Sequence, residues 1–171
     1  MIMTYYPDAV WTKSELTDQL VQLAHLFKSK VFNPARPFTR QSQFGWIKLI
    51  GAVSDLVRQA SLAGRRISFT DEVSTQQDTQ DITTLLDIMR QSAHVVGAIT
   101  PAQRSQLFVT PTLNYFSGVG SGHFANGLFF ICPHKNEQAF FIGRNRVYLY
   151  RHLMRAYVEA GRYLTSLPAS K

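Results

Sequence analysis

Apolar residues recur at helical spacing through the first hundred positions and then give way to short strand-like runs. Leu16, Leu20, Leu23, Phe27 and Val31 lie on one helical face. Thr12-Lys13-Ser14-Glu15 precedes them with the spacing of a capping box, so a helix is predicted over about 13–31. Asn33-Pro34-Ala35-Arg36-Pro37 ends it, because each proline disfavours helix in the residue before it. A longer helix is predicted over about 39–64, with Trp46, Leu49, Ile50, Val53, Leu56, Val57 and Ala60 inward and Gly64 as its stop. A third starts near Asp78 or Asp81 and buries Ile82, Leu85, Leu86, Met89, Ala93 and Val96. Thr100-Pro101-Ala102-Gln103 reads as a cap and one short turn.

After Ser105 the period changes. Residues 107–116 are β-leaning but carry Pro111, and the glycine-rich stretch Ser117-Gly118-Val119-Gly120-Ser121-Gly122 reads as a loop. Leu128–Cys132 and Gln138–Ile142 read as two strands, with Pro133-His134-Lys135-Asn136-Glu137 as their hairpin connection. Asn145 can cap a last helix over about 146–165, although Val147–Tyr150 also suits a third strand. These patterns give a mainly α fold, α+β in the loose sense. It has about four main helices and a small C-terminal antiparallel β-hairpin packed on the last helix. One globular domain spans 1–171, helical over about 12–104, with the hairpin and last helix over about 105–167.

Composition changes this picture little, but charge adds to it. Charged residues make up 17% of the 171-residue chain and hydrophobic ones 45%, so much of the surface is neutral or covered by a partner. The net charge of +7 is unevenly spread: eight basic residues against Asp55 from Lys28 to Arg66, five acidic and no basic ones from Asp71 to Asp87, then six basic residues from Lys135 to Arg162. The acidic block can neutralise a basic one internally, or a basic face can meet an anionic partner. The one cysteine, Cys132, lies in an apolar run and suits a cytoplasmic chain without disulfides. No secretory leader or membrane-spanning run is apparent.

Candidate chemistry is sparse. Arg144, Arg151, Arg155 and Arg162 fall within roughly 20° of one line on an ideal helix. Guanidinium forks suit phosphate and carboxylate. Arg58 and Arg65, on the non-core side of the second helix, would extend that basic face. Gly118, Gly120 and Gly122 with His123 form a candidate ligand loop, although the spacing is not that of a nucleotide-binding fingerprint. None of the five histidines pairs at i, i+4, so neither a metal nor another cofactor is expected. Arg146 and His152 resemble the arginine–histidine motif of HEPN ribonucleases over seven residues, departing from it at Val147, and no function is taken from so short a match.

The first expectation is a non-enzymatic binding or assembly subunit acting through contacts with a protein partner or a second copy of itself. The alternative is an anion- or nucleic-acid-binding protein using the arginine-lined helices. A second alternative is a small metal-independent enzyme built around the 117–127 loop. No membrane partner is expected.

Overall fold

The computed structural model describes residues 10–74, 79–98 and 112–168. The expected turn at 100–103 and the β-leaning residues 107–111 lie outside them. Helix α1 (Lys13–Phe27) opens on the capping box: Glu15 N–H donates to the Thr12 hydroxyl, and Thr12 N–H donates to the Glu15 carboxylate at 2.8 Å. It ends at Phe27 rather than 31, because Ser29 caps a separate 3₁₀ turn, Lys30–Phe32, that buries Phe32. Helix α2 (Arg40–Leu62) starts at the cap Thr39, and its predicted apolar face is fully buried. Gly64 stops it in the left-handed region at φ +100°, where Arg65 N–H closes back on the Ala60 carbonyl at 2.8 Å. Helix α3 is Ile82–Ala98. Asp81 caps it by accepting from Thr84 N–H and also takes a two-pronged contact from Arg66 at 2.7 and 2.9 Å.

The expectation of a mainly α fold with one C-terminal hairpin is corrected: the described residues form a mixed α+β fold, with five strands in two antiparallel sheets lying between helices, β1 (Leu113–Ser117), β2 (Gly120–His123), β3 (Phe129–Cys132), β4 (Gln138–Ile142) and β5 (Asn145–Tyr148). β3 and β4 do not pair with each other. β4 takes β1 on one edge and β5 on the other, while β3 pairs with β2. The reason lies in β4, all of whose residues are buried. A strand covered on both faces needs both edges paired as well. The turn to β5 is only two residues, Gly143-Arg144, with Gly143 at φ +59° as a tight hairpin requires.

The last helix also begins later than expected. Asn145 starts β5 instead of capping a helix. A π-helical turn, Leu149–Met154, comes next, and only then α4 (Arg155–Ser166). The result is three layers. Phe140, Ile142 and Val147 turn one face of the β1-β4-β5 sheet into the core shared with the helices, where Phe140 stacks on Trp46 with ring centres 5.3 Å apart. Ala139, Phe141 and Tyr148 turn to the other face, where the β2–β3 hairpin covers them with Phe130 and Cys132. Among the described residues, no helix is long and apolar enough to cross a membrane.

Candidate functional site

A cleft of about 910 Å³ opens where β1 and β4 meet the π-helical turn. Its walls come from Pro34, Ser117 and the β3–β4 connection, Pro133–Glu137, with Tyr150, Arg151 and Arg155 opposite. Glu137 is buried at its base and caps the helix. One carboxylate oxygen accepts from the Tyr150 and Gln138 N–H groups and the other accepts from Arg151 N–H, all at 3.0 Å. The Tyr150 and Arg151 groups are among the free N–H groups that a helix start leaves unpaired. The Tyr150 and Arg151 N–H groups are therefore already taken by Glu137, and Lys135, Arg151 and Arg155 bring cationic side chains to the cleft.

His152 completes the helix start. Tyr148 N–H donates to its Nδ1 at 3.1 Å, and its Nε2 donates to the Asp71 carbonyl at 2.9 Å. The ring has no exposed surface, and burial pushes its pKa down from 6.5 to about 4, so it is neutral at ordinary pH. Both nitrogens are committed to backbone. The arginine–histidine pair noted in the sequence is likewise structural. Arg146, on β5, donates to the Ile131 and Glu72 carbonyls, pairs with the Glu72 carboxylate at 3.5 Å and lies over the Tyr148 ring at 4.5 Å.

The four arginines expected on one helical line are split by the π-helical turn and the strand before it. Arg144 is exposed in the β4–β5 turn, and Arg162 is exposed on α4 away from the cleft. Only Arg151 and Arg155 reach the cleft. Arg58 on α2 and Arg65 just after it are not part of it, and Arg65 lies 5.5 Å over the Tyr163 ring. Arg155 donates through Nε to Glu159 at 2.8 Å and through Nη1 to Asp71 at 2.7 Å, with its guanidinium 3.9 Å over the Phe69 ring. His134 meets Glu72 at 3.3 Å. By contrast, no carboxylate among the described residues pairs with Lys135 or Arg151. The acidic block 71–87 thus neutralises basic residues from both flanking blocks: Asp71, Glu72 and Asp81 are all engaged.

The glycine stretch is not an open loop. Gly118, at φ +84°, makes the turn into β2. Gly120 and Gly122 face inward, where an added Cβ would come within 3.0 Å of the Phe116 ring and 3.4 Å of the Phe130 ring. They are small so that phenylalanine rings can pack on the strand. His123 points outward against Phe129, with ring centres 5.2 Å apart. Neither these glycines nor His123 reaches the cleft.

Sequence reading passed over Lys135, Glu137 and Tyr150 as members of a site. Lys135 and Glu137 sat in a stretch read as a turn, and Tyr150 among positions balanced between strand and helix. The only signal was a cluster of polar residues between two apolar runs, which describes most turns equally well. No protein-family model matches the chain, and comparison with curated proteins and with solved structures finds no similar one.

Proposed function

We propose that this protein is a non-enzymatic binding protein for a compact anionic ligand, held in the cleft by Lys135 and Arg151. What carries this reading is the pairing pattern: two cations without a carboxylate partner among the described residues face a space of about 910 Å³ in which the neighbouring cations are neutralised. That volume lies in the roughly 300–1,000 Å³ range of small-ligand sites. An extended nucleic acid needs a row of cations along its backbone. Arg144 is instead in a turn, Arg162 on α4, Arg58 on α2 and Arg65 in the segment after α2. Calorimetric titration with inorganic pyrophosphate at low salt tests the proposal. The wild-type protein is expected to bind, and Lys135→Ala with Arg151→Ala to weaken binding by about tenfold or more, the scale of two charge-assisted contacts. Equal affinity in the double variant would remove these residues from the site.

A second reading, assembly through protein contacts, is favoured by the outer face of the β2–β3 hairpin. Ser121, His123, Phe129 and Ile131 share that face, and Phe129, Ile131 and the adjacent Val119 are each more than half exposed. The partner that suits this face is a second copy of the chain. Copies carrying +7 repel one another, and this face bears no lysine or arginine. Sedimentation velocity should then show a dimer that Phe129→Ser with Ile131→Ser converts to monomer. A wild-type protein monomeric at every concentration would end this reading.

A further inference from the structure

Building on the anion-binding cleft, we infer that its ligand is a small-molecule phosphate monoester and that Asp71 holds the phosphate's place on Arg155 until the ligand arrives. Asp71 and Glu72 lie in the connection between α2 and α3, and Glu72 has the left-handed φ of 59°. That turn aims two successive carboxylates at cations of the C-terminal half: Asp71 at Arg155, and Glu72 at His134 and Arg146. Arg155 and His134 both line the cleft.

The Asp71 contact is short but exposed. Its side chain is 66% accessible, so the pair is strongly screened and readily exchanged for another anion. Arg155 would not swing away on losing it. Its Nε stays on Glu159 and its guanidinium on the Phe69 ring, which leaves Nη1 aimed as before. A ligand that displaces Asp71 therefore meets three cations: Arg155, Lys135 and Arg151. One carboxylate brings a single charge and two oxygens. A phosphate monoester brings nearly two charges and three terminal oxygens, which matches the set. The organic remainder of the ligand has Tyr150, half exposed at the rim, to rest on.

Phenyl phosphate and benzoate share a ring and differ in the anionic head, so paired titrations at fixed ionic strength separate the possibilities. Wild-type protein should bind phenyl phosphate about tenfold more tightly than benzoate. Asp71→Asn should raise the phenyl phosphate affinity roughly two- to fivefold, the worth of one exposed ion pair. Asp71→Asn combined with Arg155→Gln should lose that gain, with thermal midpoints confirming that both variants fold. Equal binding of benzoate would overturn the phosphate assignment. Phenyl phosphate binding that depends on Lys135 and Arg151 but is unmoved by Asp71→Asn would overturn the place-holding role and leave the cleft intact. A phosphoserine tripeptide binding more than about tenfold tighter than phenyl phosphate would overturn the small-molecule assignment. No binding of any of these anions by wild type or Asp71→Asn would overturn the cleft reading itself.

Discussion

His152 stands where three chain segments meet: β5 through Tyr148, the π-helical turn through its own backbone, and the α2–α3 connection through Asp71. Its burial has a pH consequence. The unfolded chain takes up a proton near pH 6.5, whereas the folded ring resists protonation until about 4. Folding is therefore opposed by acid in that window. His152's contribution is complete above pH 6.5 and is lost progressively as the pH falls toward 4, by about 3 kcal/mol in all. Between pH 7 and pH 5 the urea midpoint should fall by the equivalent of about 2 kcal/mol. His152→Gln retains one acceptor and one donor but does not titrate, and it should remove most of that slope. Equal slopes in the two proteins would contradict the account of the ring. Nothing in the sequence marked His152 as buried, since it sits one residue from Arg151, which is exposed. Only the π-helical turn separates their environments.

At the scale of elements, the helices were legible and the strands only partly so. The α2 face from Trp46 to Ala60 is buried residue for residue as its 3.6-residue period requires. The Thr12 box and Gly64 mark true ends, because capping is a local effect that sequence carries by itself. Strand pairing is not local. Pro133–Glu137 had the length of a hairpin connection, yet it carries the chain from the outer β2–β3 layer to the centre of the other sheet. Gly120 and Gly122 read as loop because glycine is depleted in strands, and the rings that make room for them necessary lie elsewhere in the chain. Counting at 100° per residue failed at the last helix for a similar reason. The count assumed one helix from Arg144 to Arg162, and a turn, a strand and a π-helical turn replace its first eleven residues.

Over the whole molecule, the alternation of basic, acidic and basic blocks becomes a set of long-range ion pairs: Arg66 with Asp81, Arg155 with Asp71, and Arg146 and His134 with Glu72. That internal neutralisation was foreseeable from charge order. The cleft was not, because its lining comes from Pro34, the β3–β4 connection and the helix start, segments brought together only by the fold. The proposed site draws on Lys135 and Arg151 at this cleft rather than on a helical stripe. The measurement that tests this most directly is a ¹H–¹⁵N map of backbone amides during titration with inorganic pyrophosphate. Shifts concentrated at Lys135, Asn136, Tyr150 and Arg151, saturating together, are the predicted result. Shifts centred on Arg58, Arg65 or Arg162, or none at all, would contradict it.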